Sequence, residues 1–259
     1  MKIVAIIPVR LDSKRFYRKA LIDIHGFPMI EHVRRRALFC SALSDVIVAT
    51  CDAEVADIVE SFGGKVVMTS SCHRSGTSRI VEASKDLDAT HIVLMQGDEP
   101  LLLPRHVEAL ITKMKDQPDV AAWNLVSRLE PTDLDEPSVV KCSVSRNNNI
   151  LYCYRRSPHF SDFDSQNGFI RKVNGIMAFR KDFLMSYLTL PDSKIEAAEG
   201  IEQMRIIESG SPLISVDVEP SLPSINIPSD YDIVQALLKT DLEQKELLEK
   251  TLLRDNHAF

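Results

Sequence analysis

Apolar and polar residues alternate along the first half of the chain in two rhythms. Short apolar runs at 2–8, 45–50, 65–68, 91–95 and 120–126 predict strands. Between them, apolar residues recur at helical spacing over 28–40, 52–61, 76–87 and 104–116, as with Val55, Ile58, Val59 and Phe62. Gly63-Gly64 ends the second of these helices. Near-continuous apolar strands alternating with amphipathic helices predict a mainly parallel α/β sheet with both faces covered.

The rhythm changes after residue 127. Val139–Val144, Ile150–Tyr154 and Gly175–Phe179 read as strands joined by polar connections, including the turn around Asn147-Asn148-Asn149. The expected organisation is an α/β core over 1–127 and 206–240 and a smaller mixed or antiparallel lobe over 128–205. Leu213–Val218 is expected to return the chain to the core, and the tail 241–259 carries Leu pairs in a charged, amphipathic helical pattern.

A chain of 259 residues with 44% hydrophobic content can fill a sizeable core. The net charge of −6 argues against a nucleic-acid binder. Five dispersed cysteines without C-x-x-C spacing point to reduced thiols and not to disulfides or zinc. No run reaches the ~18 apolar residues of a membrane span, and the N-terminal apolar run lacks the form of a signal peptide. The expectation is a cytoplasmic protein.

Candidate chemistry concentrates at strand ends. Arg10, Lys14, Arg15, Arg18 and Lys19 follow the first strand, and a basic loop at the carboxyl end of a parallel strand can hold phosphates. The strand at 91–95 delivers Gln96-Gly97-Asp98-Glu99-Pro100 to the same rim, where a carboxylate beside cations fits a divalent metal between protein and phosphate. Taken singly, these segments read more readily as a solvated loop and a turn than as a phosphate site, and His73 more readily as a surface or capping residue than as a ligand.

Their order resembles one family, the 3-deoxy-manno-octulosonate (Kdo) cytidylyltransferases. Ile6-Ile7-Pro8-Val9-Arg10 resembles an opening I-P-A-R, with Ser13, Arg15, Lys19 and Leu21 fitting S-x-R-x-x-x-K-x-L. Gly26-Phe27-Pro28-Met29-Ile30, Val48-Ala49-Thr50, His73 to Arg79 and Gln96 to Pro100 resemble G-x-P-M-I, V-A-T, H-x-S-G-T-x-R and Q-G-D-E-P. Val140-Lys141, Leu151-Tyr152 with Arg155, and Glu199 with Glu202-Gln203-Met204-Arg205 continue the match.

The resemblance implies a fold of the nucleotide-diphospho-sugar transferase type, with a Rossmann-like sheet, and transfer of CMP from CTP to an acidic 2-keto sugar with release of pyrophosphate. It implies Arg10, Lys19 and Asp98 as catalytic residues. It places Arg10, Ser13, Arg15, Lys19, His73, Ser75, Gly76, Thr77, Arg79 and Gln96 on the nucleotide, and Lys141, Arg155, Glu199 and Gln203 on the sugar. Mg²⁺ on Asp98 and Asn226, a homodimer, and a role in activating lipopolysaccharide or capsule sugars complete the implied picture.

The chain departs from the pattern at several positions. Arg18 stands at the family's glycine, Cys51 at its Asp after V-A-T, and Asn226 at a metal-binding Asp. Val173-Asn174 and Ala197 stand where histidines are expected. These leave open an amino-substituted Kdo or a nonulosonic acid as acceptor, or a catalytically weak nucleotide-binding homologue.

Overall fold

The computed structural model describes residues 1–13, 16–158 and 162–253. The elements in chain order are β1 (Ile3–Val9), β2 (Asp23–Ile24), β3 (Phe27–Pro28), α1 (Met29–Ala37), β4 (Asp45–Thr50), α2 (Ala53–Ser61), β5 (Lys65–Met68), α3 (Gly76–Ser84), β6 (His91–Met95) and α4 (Pro104–Asp116). There follow β7 (Ala122–Ser127), β8 (Lys141–Val144), β9 (Ile150–Tyr154), α5 (Phe163–Asn167), β10 (Ile170–Arg180), α6 (Lys181–Ser186), α7 (Lys194–Glu199), α8 (Gln203–Glu208), β11 (Ile214–Asp217), α9 (Asp230–Thr240) and α10 (Leu242–Leu253).

They group into two compact units, 1–108 with 222–259, and 109–221. In the first, β1 pairs in parallel with both β4 and β6, and β4 pairs in parallel with β5, giving the order β6-β1-β4-β5. Every residue of β1 and β6 is buried, which is why both read as unbroken apolar runs. After α2, Gly63 adopts φ 70° and the Gly64 amide reaches back to Val59 O at 2.9 Å, a helix stop that closes onto its last turn.

The second unit is mixed. β10 pairs antiparallel with β7 and β8, β8 pairs antiparallel with β9, and β11 lies parallel to β7. The lobe boundary expected at 127 thus falls inside this unit, because β7 bonds to β10 and β11. Leu213–Val218, expected in the core, supplies β11 here. Cys142 and Cys153 face each other across β8 and β9, both buried, and the five cysteines are free thiols. Among the described residues no helix is long and apolar enough to cross a membrane.

Candidate active site

The carboxyl ends of β1, β4 and β6 gather the sequence motifs of the first unit. Two glycines permit the approach. A Cβ on Gly97 would lie 2.7 Å from Val9 Cγ2, and one on Gly76 would lie 3.2 Å from Pro8 Cγ and 3.3 Å from Gln96 Nε2. The Gln96-Gly97 segment therefore packs closer to Val9 than a Cβ at Gly97 would allow without a shift, and a Cβ at Gly76 would crowd Pro8 and Gln96 by a few tenths of an ångström.

Lys19 and Asp98 meet at this rim. Lys19 Nζ lies 2.5 Å from Asp98 Oδ2 and also donates to Ile225 O at 3.2 Å. Both side chains are largely but not fully buried, at 15% and 20% exposed. The Ile225 amide donates to Asp98 O at 3.0 Å, so the strand-end loop and the 225–226 segment are held together through backbone and side chain. Asn226 follows immediately. Its Nδ2 donates to Ser224 Oγ at 2.9 Å, while its amide and that of Ile227 donate to Asp230 Oδ2 at 2.7 and 3.0 Å. The carboxylate that organises the start of α9 is thus Asp230 and not the Asn226 side chain.

The loop after β1 is turned by Ser13 N donating to Leu11 O at 2.8 Å, with Arg10 exposed. Arg15 lies outside the described residues. At the family's glycine, Arg18 holds φ 59°, a left-handed conformation that glycine adopts without penalty. Its guanidinium forms a two-point pair with Glu54. An extra cation on the phosphates is therefore not what this substitution supplies. Asp52, before α2, accepts from the Leu11 amide at 2.8 Å and so ties the β4 end to the same loop.

On the α3 side, Ser75 and Ser78 form a reciprocal capping box, leaving Gly76 and Thr77 in the first turn. His73 Nε2 contacts Glu82 Oε2, which also accepts from the Ser70 amide at 3.1 Å. The His73 ring, and after it the Ser70 amide, hold the Glu82 carboxyl below the usual carboxylate range. Arg79 is buried, bonded to Thr69 Oγ1 and 3.6 Å from Cys51 Sγ, so its charge braces the loop from beneath.

The expected sugar-side residues all lie in the second unit. Arg155 donates to Glu199 O at 2.8 Å and to Pro137 O at 2.9 Å. Gln203 Nε2 donates to Asn124 Oδ1 at 2.9 Å, and Asn124 Nδ2 in turn donates to Asn174 O at 3.0 Å. Lys141 is fully buried with Nζ on Glu136 O at 2.8 Å, and burial pulls its pKa down. Arg155 and Glu199 are brought together; Lys141 turns its amine to a backbone carbonyl.

Sequence reasoning missed Glu54, Asp52, Glu82 and Asp230, the partners that hold the loops. Asp52 and Asp230 sit at helix starts, a visible signal; Glu54 and Glu82 carry no local signature.

A parallel sheet whose strand ends present a Lys–Asp pair, a capped helix start and glycine-permitted contacts defines a nucleotide-handling α/β protein. The cytidylyltransferase family model matches residues 4–217. The 3-deoxy-manno-octulosonate cytidylyltransferase of Escherichia coli is 37% identical over 94% of this chain and 98% of its own length. The enzyme of the same name from Chlorobium limicola is 38% identical over 92% and 98%. A CMP:2-keto-3-deoxy-manno-octonic acid synthetase solved in complex with CTP superposes with TM-score 0.87 at 37% identity, covering 93% of this chain and all of that one. A 4-diphosphocytidyl-2C-methyl-D-erythritol synthase from Anaerococcus prevotii, at 14% identity and TM-score 0.63, shares the fold. The chain belongs to the cytidylyltransferases and, within them, to the 3-deoxy-manno-octulosonate cytidylyltransferase family.

Proposed function

We propose that this enzyme transfers CMP from CTP to Kdo or a Kdo-like acidic 2-keto sugar and releases pyrophosphate. The observation that carries the reading is Lys19 bridging Asp98 and Ile225 O at the rim where the glycine-permitted contacts converge.

In this reaction the anomeric hydroxyl oxygen bonds to the α-phosphorus, the bond to the β-phosphate breaks, pyrophosphate leaves and the hydroxyl proton passes to water. Arg10, Lys19 and the Ser13–Arg15 loop supply positive charge and donors to the phosphates, where charge builds as the bond breaks. Ser75, Gly76 and Thr77, at the start of α3, offer hydroxyls and amides to the nucleotide, with His73 and Gln96 beside them. Arg79 acts from beneath by holding the loop that carries Thr69 and Ser70.

The donor set fits Mg²⁺. Among the described residues no three His, Cys, Asp or Glu side chains cluster. One carboxylate, Asp98, bonded through its backbone to Ile225 next to Asn226, would suit an ion held chiefly by substrate phosphates and water, with the neutral Asn226 amide as its second protein group. When bound there, it would offset phosphate charge and polarise the α-phosphorus. Lys19 keeps the Asp98 carboxylate oriented toward the Ile225–Asn226 segment.

Arg155, Glu199 and Gln203 take the acceptor, Arg155 pairing with its carboxylate. Asn174, in place of the family's histidine, accepts from Ser127 Oγ at 2.9 Å and from Asn124, which alters this side and makes amino-substituted Kdo the first alternative acceptor to try. A homodimer through the second unit accompanies the proposal, with Leu151 and Tyr152 exposed on β9.

Pyrophosphate release by Asp98→Asn tests the site. Removing the Asp98 charge removes its hold on the cation that would stabilise the reacting phosphate, and lowers kcat by roughly 10²- to 10³-fold, with the melting temperature little changed. Near wild-type turnover would contradict the assignment.

A further inference from the structure

The C-terminal helix α10 is outside the 4–217 span of the family model, yet it reaches the loop that carries Asp98. Gln244, on its first turn, is 1% exposed, unusual for an uncharged amide with full hydrogen-bonding capacity. Its backbone amide donates to Asp241 Oδ1 at 2.8 Å, which seats the turn. Its Nε2 donates to Leu101 O at 2.9 Å, and its Oε1 accepts from Arg36 Nη1 at 2.6 Å. The same Arg36 nitrogen reaches Leu102 O at 3.3 Å. Two successive carbonyls, three and four residues after Asp98, are thus held by a buried amide and a buried guanidinium.

The rest of that loop is tied off as well. Asp98 O accepts from Ile225 N at 3.0 Å, Glu99 O from Leu102 N at 3.1 Å, and Leu103 O from His106 N at 3.0 Å. Gln244 and Arg36 complete the set, and without them the Leu101 and Leu102 carbonyls would be buried acceptors in an apolar setting of Leu101, Leu102 and Leu103, all under 5% exposed. Arg36 is itself fully buried, and among the described residues its Nε and Nη2 have no hydrogen-bond partner. Its polar contacts run through Nη1 alone. Farther along, Arg35 Nη1 donates to Thr251 O at 2.9 Å, so a cation on α1 meets the carbonyl end of α10 and fixes the helix along its length.

We propose that Gln244, with Arg36, is a positioning residue for the reaction: α10 sets the path of residues 98–103 and so holds the Asp98 carboxylate at the reacting phosphate. The inference rests on the reading of Asp98 above. Gln244 touches no substrate; it acts through the loop.

Gln244→Met keeps the side-chain length and removes both hydrogen bonds. Misplacing a reacting group by a fraction of an ångström costs about tenfold or more in rate, so kcat falls by about that factor and half-saturating Mg²⁺ rises, while KM for CTP stays within about twofold. Leu247→Ala loosens the same helix through packing alone, since Leu247 is buried and touches no loop carbonyl through a polar atom. It lowers the melting temperature and leaves kcat and Mg²⁺ half-saturation unchanged at 25 °C. Gln244→Glu keeps an acceptor for Arg36 but has no donor for Leu101 O, and falls between Gln244→Met and wild type in kcat. If Gln244→Met lowers only the melting temperature, as Leu247→Ala does, the positioning role is overturned. An inactive Asp98→Asn beside a fully active Gln244→Met overturns this inference alone; an active Asp98→Asn overturns the Asp98 reading with it.

Discussion

Glu31 is the most consequential buried charge in the first unit. It is 0% exposed on α1 and accepts from Arg34 Nε at 2.7 Å, Arg34 Nη2 at 2.6 Å and Arg35 Nε at 2.6 Å. Glu31→Gln preserves volume but leaves two guanidiniums, 5% and 3% exposed, without a counter-charge. Breaking a buried pair by removing one partner costs about 3–5 kcal/mol. Part of this is offset, because Arg34 also donates to Phe62 O at 3.1 Å, and Arg35 donates to Thr251 O and lies 4.2 Å from the Phe27 ring centroid. The lower end, about 3 kcal/mol, is therefore expected. For a chain of this size that is a drop of roughly 6–12 °C in melting temperature. Asp88→Asn serves as the control: the Lys2–Asp88 pair is exposed, at 50% and 93%, and such pairs contribute about 0–1 kcal/mol. Urea unfolding at pH 7.5 without nucleotide measures both. A Glu31→Gln loss no larger than that of Asp88→Asn would refute the account of α1 as a helix held by internal charge pairing.

Three further outcomes follow from the same geometry. His32, buried with Nε2 on Ile24 O at 2.6 Å, has its pKa pushed down to about 4, chiefly by desolvation; its neutral form is the folded one, the unfolded chain takes up the proton first, and stability falls as pH drops from 6.5 toward 4. At ~1.4 kcal/mol per pH unit the loss by pH 5 is about 2 kcal/mol, and His32→Gln should flatten that part of a pH series of urea unfolding curves, an unchanged slope counting against it. Gly97→Ala places a Cβ 2.7 Å from Val9 Cγ2 and pushes the Asp98 loop off β1, so kcat should drop by about tenfold or more, and unaltered kinetics would show that the close approach is not needed. Asn226→Asp adds a charged oxygen beside the Lys19-bridged segment, and the Mg²⁺ titration of pyrophosphate release should shift to lower concentration; superimposable titrations would remove Asn226 from the metal site.

How far the sequence carries depends on where the information sits. β4 and β6 coincide with the apolar runs because buried parallel strands are apolar on both faces, and β5 matches its short run at 65–68 as a half-exposed edge strand. α1 is less legible: Arg34, Arg35 and Arg36 are all buried, and although Glu31 lies one turn away, Phe62, Gln244 and Thr251 O come from distant positions to receive them. The second unit's short helices, α5 and α7, span too few turns for periodicity to register. At the site, strand-end position draws both Lys19 and Asp98 to one rim, but their direct pairing is not legible in the sequence, because 79 residues separate them and no local spacing links them. Arg18 is legible only in three dimensions. Its left-handed backbone explains why the family's glycine sits there, and Glu54 explains where the added charge goes.

The central claim is tested most directly by incubating the enzyme with CTP, Mg²⁺ and Kdo and measuring pyrophosphate together with the nucleotide-sugar product by mass spectrometry. One pyrophosphate is expected per CMP-sugar formed, at a rate roughly 10²- to 10³-fold lower in Asp98→Asn, and none when ATP or GTP replaces CTP. Failure to form a CMP-sugar from Kdo or any related acidic keto sugar, with CTP bound and the fold intact, would contradict it.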